Sequence, residues 1–138
     1  MRRQFDLLTE DQGFLENLGL PWEALNENSM LWILVHQYPL PKGYEQLTVS
    51  LAVHVAFGYP RTQLDMVYFN PHICRLDKKP IGALALQNID NKIWQRWSRH
   101  RSALNPWRDG VDNLSTHFAL IEYWLQREFI IKPYAISA

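Results

Sequence analysis

Three side chains that could take part in acyl transfer stand close together in the stretch YFNPHICRLDKKPIGAL, residues 68–84: Asn70, His72 and Cys74. Cys74 is the only cysteine of the chain. A cysteine attacks as its thiolate, a form that the neighbouring His72 and Arg75 would favour. Asn70 or His72 could donate a hydrogen bond to the oxyanion that forms at a thioester, an effect of roughly 3–4 kcal/mol. In an extended segment these three side chains share one face.

A cysteine that only fills space is the other interpretation of Cys74. Cysteine is among the most frequently buried residues and is then chemically inert. The sequence leaves both interpretations open.

A hydroxyl route offers a second set of candidates, Ser98 and His100 in the stretch WSRH. Residues two apart do not face each other on a helix, so these two form a dyad only in a loop. Asp109 or Asp112 could fix the tautomer of His100, and a serine needs such a base to attack. In the alternative interpretation, these polar side chains only hydrogen-bond the loop in place.

Motifs for metal or cofactor binding are not found. His72 and Cys74 form an H-x-C pair, but a second cysteine or histidine pair at zinc-finger spacing is missing. The sequence also holds no P-loop, dinucleotide-binding or lipase-type glycine motif. We therefore expect no metal and no cofactor. His36 and His54 are expected on the sheet surface, and His117 in solvent.

The charge balance excludes a general attraction to polyanions, since Lys plus Arg and Asp plus Glu are both 14. The cluster RWSRHR, which supplies Arg96, Arg99 and Arg101, leaves a weaker nucleic-acid-binding hypothesis. A single cysteine suits a reducing compartment, and neither a signal peptide nor a membrane-length apolar run is found. We expect a cytoplasmic protein without nucleic-acid or membrane partners.

Hydrophobic periodicity predicts an α+β fold with a helix, a meander, a long irregular segment and a final helix. TEDQ reads as a capping box that starts the first helix at Thr9, and strands are predicted at 29–39, 47–56 and 64–69. Residues 90–101 are expected to form a helical turn or two within the irregular segment. Asp112 or Asn113 should cap the last helix. We predict one domain over 1–138, with its core at about 30–128, a helical extension at 9–29, and Trp94, Trp97 and Trp107 in the core.

These elements resemble the ubiquitin-conjugating enzyme fold: a strand, LPKGY, a strand, GYP, a strand ending in an Asn-Pro loop, then NPW and a helix. The fold implied has an antiparallel meander of three to four strands. GYPRTQLDMVYFNP resembles the approach to an active-site loop. WQRWSRH followed by WRDGVDNL is similar to the prokaryotic ubiquitin-conjugating-enzyme-like family E. The resemblance covers about Leu31 to Leu125.

The resemblance implies transfer of a ubiquitin-like modifier to a target nucleophile. The implied partners are an activating enzyme and the modifier, often with a deconjugating peptidase, in an operon of the antiphage-defence type. Cys74 would carry the modifier, assisted by Asn70 and His72; Ser98, His100 and Asp112 are the second candidates.

Two departures from the family pattern support a non-catalytic alternative. Asn70-Pro71-His72 reverses the usual His-Pro-Asn order, and the usual cysteine position, near Ile81 to Ala83, holds no thiol. The alternative is a scaffold that binds the modifier or the activating enzyme. In either case we expect the chain after the meander to form a shallow cradle for another protein's tail.

Overall fold

Six strands form one antiparallel sheet in the computed structural model, which describes residues 1–133. The elements in chain order are α1 (Thr9–Leu18), β1 (Trp22–Glu27), β2 (Met30–Pro39), β3 (Thr48–Val55), β4 (Val67–Asn70), β5 (Leu84–Ile89), β6 (Lys92–Trp97) and α2 (Leu114–Ile131). The strand order across the sheet is β1-β2-β3-β4-β6-β5. The predicted α+β class, with a helix near each end of the chain, is confirmed.

Both helices cover the same face of the sheet, here called the inner face. The Phe14 and Phe118 rings, one from each helix, meet edge to face at 5.1 Å. The core between helices and sheet includes Leu15, Ile33, Leu51, Val53, Phe69, Trp97, Ile121 and Leu125. A smaller cluster covers the opposite, outer face and contains Leu25, Trp32, Leu34, Ala52, Tyr68, Ile89 and Trp94. The central strands are therefore buried on both faces. Within the described residues, no helix is long and apolar enough to cross a membrane.

The prediction of helical turns at 90–101 is wrong, because this stretch supplies β6. The two-residue turn Asp90-Asn91, with φ of 55° and 59°, folds β6 back onto β5. Such left-handed pairs match the twist of a hairpin, and Asp and Asn tolerate them. The segment expected to be irregular therefore holds a hairpin, and the sheet exceeds the three to four strands predicted.

The sheet also begins before the predicted core. Residues 22–27, placed in the helical extension, form β1 and pair with β2 through the turn Asn28-Ser29. Both turn residues have positive φ, 51° and 69°. The signal was present in the sequence, but Asn-Ser is a weaker hairpin signature than Asn-Gly.

The cap predicted for α2 is confirmed, whereas the one for α1 is wrong. Asn113 accepts hydrogen bonds from the amides of Ser115 and Thr116, and the Thr116 hydroxyl accepts one from the Asn113 amide. At α1 the N-cap is Leu8, without a side-chain cap. Gln12 instead donates to Glu16, one turn further on.

His117 was expected in solvent but is fully buried. Its Nε2–H donates to the Met66 carbonyl at 2.9 Å, which joins α2 to the approach of β4. Its Nδ1 is buried without a hydrogen-bond partner among the described residues, and the Trp124 ring lies edge to face at 5.7 Å. Burial lowers the pKa of His117 to about 4.

We predict that His117 makes the protein lose stability as the pH falls from about 6.5 to about 4. In this pH window His117 of the unfolded chain, with a pKa near 6.5, is protonated, whereas His117 of the folded protein stays neutral. Protonation therefore stabilises the unfolded state relative to the folded one. The loss should approach ~1.4 kcal/mol per pH unit. His117→Gln should remove this slope, as measured by urea unfolding at pH 7, 6 and 5. Equal slopes in both proteins would contradict the assignment.

Candidate functional site

The site loop, residues 70–80, runs from β4 past the segment that follows β2. The Glu45 amide donates to the Cys74 carbonyl at 2.8 Å, and the Leu76 amide donates to the Gly43 carbonyl at 2.9 Å. These two bonds hold the backbone on both sides of Arg75 in a short antiparallel bridge between Tyr44 and Arg75. The loop therefore has a defined path along the end of the sheet.

Arg75 ties the site loop to α2 from inside the protein. Its side chain is 0% exposed, and its guanidinium donates to both Asp77 oxygens at 2.9 and 2.5 Å. Nη1 also donates to the Glu128 carbonyl at 3.1 Å, and the guanidinium lies 4.6 Å above the Phe129 ring. Its hydrogen bonds hold the pKa of Asp77 below its usual range. A buried charge of this kind requires its partners in place, so the loop is fixed relative to α2.

Gln95 on β6 is a second anchor, which the sequence reasoning missed. Its Oε1 accepts from the Ile73 amide at 3.1 Å, and its Nε2 donates to the Ile73 carbonyl at 3.2 Å. The same Oε1 accepts from the Trp97 indole at 3.1 Å. A polar amide on the buried side of a strand was the available signal, because such a group must find partners.

Cys74 is exposed at the rim of a depression of about 370 Å³ on the inner side of the sheet. Ile73, Ile81 and Leu84 contribute apolar walls. Ile81 belongs to the stretch where the resemblance predicts the family's cysteine, so Cys74 and that stretch border one depression. Lys78 also lines it. The pKa of Lys78 is raised by the hydrogen bond to Glu45 and, to a lesser degree, by the nearby Cys74.

Among the described residues, the other two residues of the predicted thiol site make no hydrogen bond to the sulfur. Asn70 faces the outer side of β4, where its Nδ2 donates to the Ile93 carbonyl at 3.1 Å. His72 is exposed. In the described part of the chain no hydrogen bond joins the Cys74 thiol to either residue. The expected common face of Asn70 and Cys74 is thus not found, because the chain turns after β4.

The hydroxyl candidates line a different depression, of about 830 Å³, between residues 98–105 and α2. His100 Nδ1 lies 2.9 Å from Asp65, so the expected pairing with Asp109 or Asp112 is wrong. Asp112 is instead buried, where it accepts from the backbone and side chain of Arg108. Asp112 therefore stabilises the segment that leads into α2, and it does not orient His100 as a base. Ser98 and His100 share this depression, but no hydrogen bond links them within residues 1–133.

The basic cluster is largely paired with acids. Arg99 lies 3.8 Å from Glu128 and stacks on the Trp97 ring, and Arg101 lies 3.6 Å from Asp112 with its side chain only 5% exposed. These contacts pair two of the three arginines with acids, whereas Arg96 has no ion pair among the described residues and its buried Nε has no hydrogen-bond partner there. The predicted burial of Trp94 and Trp97 is confirmed, and Trp107 is half-buried.

Comparison with known proteins places most of the chain in a family pattern. A family model described as prokaryotic E2 family E matches residues 7–128, which include the site loop and both depressions. The searches of curated proteins and of solved structures returned no match.

We predict that Gly43→Ala destabilises the protein by about 2 kcal/mol or more. Gly43 has φ of 122°, and an added Cβ would lie 2.5 Å from the Phe129 ring that covers Arg75. The matched control is Gly13→Ala within α1, where a Cβ meets open space and should stabilise by about 0.5–1 kcal/mol. Urea unfolding measures both. A Gly43→Ala protein as stable as the parent would contradict the packing.

We also predict that Gln95→Leu lowers the free energy of unfolding by about 2 kcal/mol or more. The substitution leaves the buried amide and carbonyl of Ile73 without their hydrogen-bond partner. Gln87→Leu on the neighbouring strand β5 is the control and should change the free energy of unfolding by less than about 0.5 kcal/mol. Chemical denaturation of the two variants distinguishes a buried anchor from a surface amide. Equal losses would show that Gln95 does not anchor the loop.

Proposed function

The chain belongs to prokaryotic E2 family E, and on that premise we propose that Cys74 carries a ubiquitin-like modifier as a thioester. The membership supports a conjugating-enzyme-like role, and the thiol chemistry is the proposal. One observation carries it: the only thiol of the chain is exposed at the depression that Ile81 also lines. Cys74 stands earlier in the chain than the family pattern places its cysteine, and it borders the same depression as Ile81.

The proposed reaction consists of two acyl transfers. The Cys74 thiolate attacks the carbonyl carbon of the modifier's C-terminal thioester on an activating enzyme. The new C–S bond forms as the activating enzyme's thiolate leaves. A target amine then attacks the Cys74 thioester, loses its proton, and returns the thiolate. The ammonium of Lys78, beside the thiol, favours the negative charge that develops on sulfur and oxygen.

The uncovered strip of the inner face next to Cys74 is suited to a protein tail. Leu84, Leu86 and Ile93 are 39%, 65% and 56% exposed on β5 and β6, which the helices do not reach. An extended tail could lie along this strip and end in the depression. Exposed apolar side chains grouped in this way are typical of an interaction surface.

We further propose that the partners are an activating enzyme and a modifier encoded in the same operon, of the antiphage-defence type. Activation consumes ATP, which supports a cytoplasmic location.

A non-catalytic scaffold is the second candidate. It is favoured by the lack of any hydrogen bond from Asn70 or His72 to the Cys74 thiol within the described residues. In this function the apolar strip binds the modifier, and Cys74 forms no adduct.

The test mixes the protein with an activating enzyme and a ubiquitin-like modifier from the same genome, with ATP, and measures intact mass. We expect a reductant-labile adduct that is lost in Cys74→Ala and kept in Ser98→Ala. Cys74→Ser should convert it to a reductant-stable, base-labile ester.

Other outcomes overturn the proposal. An adduct that survives in Cys74→Ala but is lost in Ser98→Ala or His100→Gln assigns the carrier to the second depression. If no adduct forms, and the protein binds the modifier with an affinity that Leu86→Asp weakens, the result supports the non-catalytic scaffold.

A further inference from the structure

Three polar side chains form a hydrogen-bonded row on the outer face, away from both depressions. Ser50 Oγ lies 2.8 Å from His36 Nδ1, and His36 Nε2 lies 2.7 Å from Glu23 Oε2. Glu23 side-chain exposure is 11% and that of His36 is 24%, so the row is partly shielded yet reachable. None of the three belongs to the sequence-predicted sites.

The sheet brings the row together from three adjacent strands. Glu23 on β1, His36 on β2 and Ser50 on β3 each alternate with inward-facing core residues, so all three point outward. The β2–β3 register shifts between Val35 and Tyr38. A bulge of this kind re-aims the side chains around it, here beside His36.

The charge on Glu23 selects the tautomer of His36. Arg2 donates to Glu23 Oε1 at 2.8 Å, and this bond, with that from His36, lowers the pKa of Glu23 to about 2. The ionised carboxylate accepts a hydrogen bond, so His36 Nε2 carries the proton. Nδ1 then presents its lone pair to the Ser50 hydroxyl, which donates. Ser50, His36 and Glu23 thus stand in the order nucleophile, base and orienting acid, as in hydrolase triads.

Asn70 is the neighbour of Ser50 across the β3–β4 pair. It pairs with Ser50 in the β3–β4 register, and its side chain lies on the same outer face. One N–H of its amide goes to the Ile93 carbonyl, and an amide nitrogen carries two. Ile93 lies on β6, on the side of β4 away from Ser50, so the amide is engaged there and the Ser50 site is assigned no oxyanion donor.

We propose that Ser50 is an acyl-accepting nucleophile for activated carboxylic esters and thioesters, with His36 as its base and Glu23 as a positioning residue. The Ser50 oxygen attacks the carbonyl carbon while its proton moves to His36 Nδ1. The tetrahedral oxyanion collapses, the C–O or C–S bond to the leaving group breaks, and that group takes the proton from Nδ1. Water then hydrolyses the Ser50 ester with His36 again as base. The site is independent of Cys74.

The alternative is that the row only ties three strands together through Arg2. A purely structural network would leave the serine no more reactive than any other surface hydroxyl. Covalent labelling therefore separates the two, since it reports nucleophilicity and not strand pairing.

The test treats the full Cys74→Ala chain with an alkyl fluorophosphonate, in which the serine oxygen displaces fluoride from phosphorus. Intact mass and peptide mapping should show one adduct, on Ser50, which is lost in Ser50→Ala and kept in Ser29→Ala, a change at the exposed β1–β2 turn. His36→Gln should slow labelling about 100-fold or more. The Cys74→Ala chain should also release 4-nitrophenol from 4-nitrophenyl acetate at a rate that Ser50→Ala abolishes.

Absence of a fluorophosphonate adduct, or an adduct elsewhere than Ser50, overturns the proposal. So does a labelling rate that His36→Gln leaves unchanged while circular dichroism shows a folded variant. Peptide mapping on the Cys74→Ala chain needs no further variant, so it locates the adduct even where the His36→Gln protein misfolds. Because this background lacks the thiol, the result is also separate from success or failure of the Cys74 thioester.

Discussion

The fully buried guanidinium of Arg75 is the constraint on which the site depends. A charge placed inside a protein is tolerated only with its hydrogen-bond partners in position, and those of Arg75 come from the site loop itself and from the end of α2. Phe129 closes over the guanidinium, and Gly43 is needed because no side chain fits beneath that ring. The loop that carries Cys74 is therefore held like part of the core, although the thiol itself is in solvent.

The sheet separates two sets of reactive groups. The inner side offers the Cys74 thiol, the ammonium of Lys78 and an apolar strip, which suit a protein tail delivered as a thioester. The outer side offers the hydroxyl of Ser50, which is hydrogen-bonded to His36. A chain of this family thus holds candidates for both thioester carriage and ester chemistry, and neither needs the other. The Cys74→Ala protein is the reagent that distinguishes them.

Local signals in the sequence predicted the elements with strong periodicity. The strand around Leu51, the cap at Asn113 and the family were recognised because they depend on alternation, a capping side chain and short motifs. The two hairpin turns were missed since their residues adopt positive φ without a glycine. Site geometry was harder to predict: Asn70 pairs with Ser50 through the sheet register, and His100 with Asp65 across 35 positions. Long-range contacts of this kind leave no local pattern.

The Cys74 segment is preformed, because buried contacts hold it in place before any partner binds. Amide hydrogen exchange on the isolated full chain tests it most directly, because the Leu76 amide donates to Gly43 and the Cys74 amide to Gln46. We predict that both amides exchange as slowly as those of the paired strands β5 and β6. Exchange of residues 73–76 at the rate of an unstructured peptide, in a protein whose strands stay protected, would contradict the account.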